Sequence, residues 1–141
     1  MSAARFMLDT NIMSELIRNP DGPVQRVAAR FGTPAISISS IVASELRFGY
    51  LKRGSERLAR LVENMISRVE VVRYDEAASM HYAQIRQSLQ TSGKTIGPND
   101  LFIAAHARAL DLTLVTDNIR EFSRVDGLKL ENWIDREPSD A

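Results

Sequence analysis

Four acids stand where the chain leaves a strand or runs along a helix. Asp9 closes the apolar run Phe6-Met7-Leu8, and Asp117 closes Leu114-Val115-Thr116. Both therefore fall at the carboxyl ends of short strands, the edge of an open parallel sheet where ligands bind if the strands flank the point of reversed order. Asp100 follows Gly97-Pro98-Asn99 as the third residue of a helix, where the helix dipole favours an ionised carboxylate. Glu45 lies four residues after Ile41 and three before Phe48, in line with side chains expected to pack, so its charge needs a partner. Each acid also has a simpler use. Asp9 and Asp117 can cap the helices that follow them, Asp100 can serve the helix dipole alone, and Glu45 can reach water at a rim or pair with Arg47 or Arg18. As a set, though, four close carboxylates repel one another unless some are protonated or cations lie between them. A donor set made only of oxygen selects a hard ion, Mg²⁺ or Mn²⁺. Two such ions would offset four carboxylates and suit attack of water on a phosphodiester.

The elements that must carry these acids alternate. Short apolar runs at 6–8, 35–38, 69–72, 112–115 and 128–130 predict five strands, and helical stretches at 11–18, 23–31, 39–53, 56–68, 75–90 and 98–110 separate them. That alternation predicts a parallel sheet in an α/β sandwich. In the helix from Asp75, residues Ala78, Tyr82, Ile85 and Leu89 recur at helical spacing and form a packing stripe. The run Leu101-Phe102-Ile103-Ala104-Ala105 is apolar on nearly every face, which predicts a helix enclosed between the sheet and other helices, with Pro98 in its first turn. A chain of 141 residues has room for one domain, expected over residues 1–136, with 137–141 as a frayed tail.

Composition removes several classes of function. Without cysteine there is no disulfide framework, thiolate nucleophile or Cys-ligated zinc, and a reducing cytoplasm is the expected setting. No apolar run is long enough to span a bilayer, so no membrane partner is expected. His81 and His106 are the only histidines; they lack metal-ligand spacing and are expected as boundary residues on helices, between core and surface. None of the seven glycines forms a phosphate loop. Net charge is zero, so a nucleic acid must be met by a local patch. Such a patch is offered by Arg47, Lys52, Arg53, Arg57 and Arg60, with Glu56 as the one acid among them, and Arg47, Arg53 and Arg57 are the candidate phosphate contacts. The same stretch could equally be a solvated helix face or meet an acidic partner. Tyr50 and Tyr74 are expected in the core.

The motifs Phe6-Met7-Leu8-Asp9-Thr10-Asn11, Ser44-Glu45-Leu46 with Gly49, Asn99 through Ala107, and Val115-Thr116-Asp117-Asn118 with Phe122 resemble, in order and separation, PIN-domain ribonucleases of the VapC toxin type. The resemblance covers about Arg5 to Trp133. It implies a three-layer sandwich with a five-stranded parallel sheet ordered 3-2-1-4-5. Asp9, Glu45, Asp100 and Asp117 would be the acidic, metal-holding quartet, Thr116 a supporting hydroxyl and Asn11 an orienting amide. Further implications are a structured RNA substrate such as tRNA, a homodimer, and a small DNA-binding, VapB-like antitoxin that occludes the acidic pocket. Two other readings stay open: a non-cleaving subunit of a DNA-bound repressor complex, and an aspartyl phosphotransferase. The second expects another aspartate at position 11, which here is Asn.

Overall fold

The computed structural model describes residues 2–134, so the expected tail at 137–141 lies outside the described residues. Five strands form one parallel sheet: β1 (Phe6–Leu8), β2 (Ile36–Ser39), β3 (Glu70–Val72), β4 (Thr113–Val115) and β5 (Leu130–Glu131), in the order β3-β2-β1-β4-β5. Helices flank it: α1 (Thr10–Arg18), α2 (Pro23–Phe31), α3 (Ser40–Arg53), α4 (Glu56–Ile66), α5 (Glu76–Thr91), α6 (Pro98–Ala109) and α7 (Ile119–Phe122).

β1 is central because all three of its side chains are buried, the pattern of a strand covered on both faces. It pairs with β2 through Phe6 and Ile36, and with β4 through Leu8 and Val115. The latter ladder runs one step further, with the Asp9 N–H donating to the Val115 carbonyl at 3.0 Å. Strand order reverses between β1 and β4, so the first residues beyond both strands share one edge of the sheet.

The helix enclosed by the sheet is α6, where Leu101 and every residue from Ile103 to Ala107 are buried. Along α5 the stripe Ala78, Ile85 and Leu89 is buried as its spacing predicts, and the Asp75 carboxylate caps the helix by accepting from the Ala78 N–H. At the opposite end of the sheet Trp133, fully buried, meets Phe6 edge-on at 5.0 Å and stacks on Phe31 at 6.1 Å, while its indole N–H donates to Glu131. This cluster holds β1 against β5 and α2.

Some elements depart from the sequence reading. The last strand starts at Leu130 rather than 128, and α4 stops at Ile66. A helix at Ile119–Phe122 and a 3₁₀ turn at Thr33–Ala35 are additional, both too short to leave a periodic pattern. His106 is not at a boundary: it is fully buried, with Nδ1 2.8 Å from the Ser39 hydroxyl, and burial pushes its pKa down, so the ring stays neutral. His81 does lie at a half-buried position, accepting from Arg108 Nε at 2.9 Å.

Candidate active site

Asp9 leaves β1 in extended conformation and caps α1, its Oδ1 accepting from the Ile12 N–H at 2.9 Å. The capping use foreseen as an alternative is therefore real, but it leaves the carboxylate cut off from water. Only 4% of the residue is exposed, and burial, with the charges of Asp117 and Glu45 nearby, raises its pKa to about 6, although the Thr116 hydroxyl and the Ile12 N–H pull the other way. Thr116 follows β4, is fully buried, and accepts from the Asn118 N–H at 3.0 Å.

Asp100 is the third residue of α6, as expected, yet its environment opposes the helix dipole. Burial, a hydrogen bond with Glu121, and the charges of Glu121, Asp9 and Glu45 raise its pKa to about 7. Glu121, absent from the sequence reading, is thus a fifth acid. One turn of α7 carries it back under α6, where its carboxylate accepts from the Gly97 N–H at 3.0 Å and the Asn118 amide at 2.5 Å. A Cβ at Gly97 would stand 3.4 Å from Asp100 Oδ2, so the glycine leaves room for that carboxylate. The available signal was an acid four residues after Asp117, one helical turn on, in a segment too short to read as a helix.

Glu45 arrives by a different route from the one its spacing suggested. Phe48 is 63% exposed, and α3 packs instead through Val42, Ala43 and Leu46. Glu45 is half-buried on the flank of that stripe. It pairs with neither expected arginine: Arg47 grips Glu63 with two hydrogen bonds of 2.9 and 3.0 Å, and Arg18 bonds Glu15. Its partners are Thr10 Oγ1 at 2.5 Å and Asn99 Nδ2 at 3.1 Å.

Asp117 is exposed after β4 and does not cap α7, whose N-cap is Asn118 with no side-chain bond to the helix backbone. Its charge is felt at Asp9. Asn11 is exposed on the first turn of α1 and, among the described residues, makes no side-chain hydrogen bond; the orienting amide at this site is that of Asn99. Among the described residues, no three acids already stand in a metal-enclosing geometry. The acids are arranged as a capped Asp9, a bridged Glu45, and an Asp100–Glu121 pair; Asp117 and Glu45 bear on Asp9, and Asp9 and Glu45 bear on Asp100.

A cleft of about 190 Å³ opens from Glu45 and Thr10, passes Gly49 and Leu58, and reaches Arg18 and Arg53. Arg53 and Arg57 also border an adjoining hollow, and neither forms a salt bridge among the described residues. Arg47, held by Glu63, is tied to α4 and is not a free cation facing the cleft. Tyr50 is half-buried and donates to Glu63, and Tyr74 packs edge-on against Phe102 and His106, so both serve packing.

A parallel sheet with acids gathered at its switch point defines a class, and residues 6–128 match the model of the PIN domain: the chain belongs to the PIN-domain family. Within that family its likeness is to VapC proteins. It is 42% identical over 130 residues to the tRNA(fMet)-specific endonuclease VapC of Shigella flexneri, covering 92% of this chain and 98% of that protein. It is 39% identical over 130 residues to ribonuclease VapC2 of Rickettsia felis, covering 91% and 97%. Among solved structures, DNA-bound VapBC from Salmonella typhimurium superposes with a TM-score of 0.87 at 40% identity, covering 92% of this chain and 98% of that one. No helix among the described residues is long and apolar enough to cross a membrane.

Proposed function

We propose that the chain is a metal-dependent endoribonuclease toxin, neutralised by a small DNA-binding antitoxin of the VapB kind. The observation that carries the reading is the meeting of Asp9, Glu45, Asp100 and Asp117 at the switch-point edge, where burial first and neighbouring acids second raise Asp9 to about 6 and Asp100 to about 7. Groups tuned in this way, in one place, are a signature of functional sites. The donor chemistry fits a hard divalent cation: the acids offer only oxygen ligands, and their ionised forms carry charge that a cation would offset. Asp9, Glu45, Asp100 and Asp117 would hold Mg²⁺ or Mn²⁺, with Glu121 as a further ligand or the partner that orients Asp100. When bound, such an ion activates water and offsets charge on the phosphodiester.

The remaining tasks belong to the chain itself. Thr116 and the Ile12 N–H fix one orientation of Asp9. Gly97 and Asn118 fix Glu121, which shares a hydrogen bond with Asp100; without a cation this pair retains a proton near neutral pH. Arg53, on the cleft leaving Glu45 with Arg18, and Arg57, on the adjoining hollow, would bind RNA phosphates. A structured RNA such as tRNA is the proposed substrate, and the activity of the Shigella relative supports that choice. The protein is proposed to be a cytoplasmic homodimer, with Asn11 on the exposed rim of the site, and to be one domain over residues 1–136.

The solved relatives support the antitoxin: VapBC2 from Rickettsia felis was determined bound to a promoter DNA fragment. They also favour a second role, in which the toxin rests with its antitoxin on DNA. Induced expression tests the toxin and its neutralisation together. The chain alone should arrest growth, co-expression with the adjacent small reading frame should restore it, and the Asp9→Asn chain should be harmless. Equal arrest by the Asp9→Asn chain would show that toxicity arises elsewhere.

A further inference from the structure

The Glu45 carboxylate is the one acid of the site that reaches it from the middle of a long helix, on a flexible side chain. Burial and the backbone restrain Asp9, and Glu121 restrains Asp100. Glu45 has neither kind of restraint, and the arginines that could have gripped it are engaged by Glu15 and Glu63. Its two oxygens are instead bound separately, Oε1 by the Thr10 hydroxyl at the start of α1 and Oε2 by the Asn99 amide at the start of α6. Three helices therefore meet on a single carboxylate.

Both donors are neutral. An arginine in either place would orient the carboxylate and also cancel its charge, whereas a hydroxyl and an amide orient it and leave the charge intact. Each oxygen gives up one lone-pair direction and keeps the other. The Asn99 amide also has no competing duty: the residue is exposed, it does not cap α6, and among the described residues its side chain bonds Glu45 alone. Because Asn99 immediately precedes Asp100, the same helical turn that presents one acid aims another.

We infer that Asn99 is a positioning residue that, with Thr10, holds the Glu45 carboxylate in its divalent-cation-binding orientation. This rests on the metal-dependent reading proposed above. Outer partners that orient ligands typically change metal affinity by about 10–100-fold when removed, and the lower end suits a half-exposed ligand. Titration of purified full-length protein with Mn²⁺ by calorimetry reads this without RNA. Asn99→Ala should weaken Mn²⁺ binding by about tenfold. Asn99→Leu, similar in size but with no N–H to donate to Oε2, should weaken it to the same extent. The melting temperature of both variants in chelator should stay near that of the parent, since Asn99 is exposed. In cleavage assays, Asn99→Ala should need more Mn²⁺ for half-maximal rate while retaining kcat at saturating Mn²⁺. If Asp9→Asn loses Mn²⁺ binding while Asn99→Ala and Asn99→Leu bind as the parent does, the inference is overturned and the metal reading survives. If Asp9→Asn also binds like the parent, the metal reading itself falls.

Discussion

Replacing Asp9 by Asn should make the metal-free protein more stable while abolishing its activity. The carboxyl ionises at about 6 in the folded chain against 3.8 ordinarily, chiefly because it is buried. An acid whose pKa is raised by folding binds its proton more tightly in the native state, so its stabilising contribution is complete below 3.8 and gone above about 6. At about 1.4 kcal/mol per pH unit, the span from 3.8 to about 6 corresponds to roughly 3 kcal/mol lost by the parent at alkaline pH. Asn is nearly isosteric with the protonated acid and avoids that loss. Its carboxamide oxygen can still accept from the Ile12 N–H, which preserves the cap on α1. Urea unfolding in chelator at pH 8 should therefore show Asp9→Asn more stable by about 2–3 kcal/mol, a Tm rise of roughly 4–12 °C. At pH 4 the two proteins should unfold nearly alike. Added Mn²⁺ should stabilise the parent and close the gap at pH 8, because a ligand that binds only the native state raises its stability. A variant that is less stable than the parent at pH 8, or a difference that does not change with pH, would refute the argument that burial holds this carboxylate at a cost.

Glu121→Gln removes the charge that shares a hydrogen bond with Asp100, so in chelator the Asp100 carboxyl should titrate below its value of about 7, as read by carbon NMR of the side chain. Arg53→Glu with Arg57→Glu should raise KM for RNA and flatten its dependence on salt, by about one unit of slope for each phosphate no longer neutralised, with kcat little changed. Arg47→Ala should leave that KM alone and cost at most about 1 kcal/mol of stability, since its pair with Glu63 is exposed.

Much of this architecture was legible because strands and acids are adjacent in sequence. Phe6-Met7-Leu8 before Asp9, and Leu114-Val115-Thr116 before Asp117, placed two carboxylates at strand ends, and the sheet order brings those ends together. Pro98 fixed the start of α6 and with it the position of Asp100. Glu45 was found partly for the wrong reason: periodicity counted Phe48 as a packing residue, but α3 turns that side chain to solvent. Hydrophobicity alone does not say which of two apolar stripes is buried when a helix carries both. Glu121 and Asn99 were missed because their roles depend on contacts between segments far apart in sequence, α7 with the Gly97 turn and α6 with α3. A local pattern records neither. The burial of His106 has the same origin, as its partner Ser39 lies 67 residues away.

Cleavage of a structured RNA by the purified chain, with and without divalent ions, tests the central claim most directly. The account predicts cleavage in Mg²⁺ or Mn²⁺, none in excess chelator, and products bearing 5′-phosphate and 3′-hydroxyl ends, because water and not the neighbouring 2′-hydroxyl is the nucleophile. Undiminished cleavage in chelator, or products ending in 2′,3′-cyclic phosphate, would contradict it.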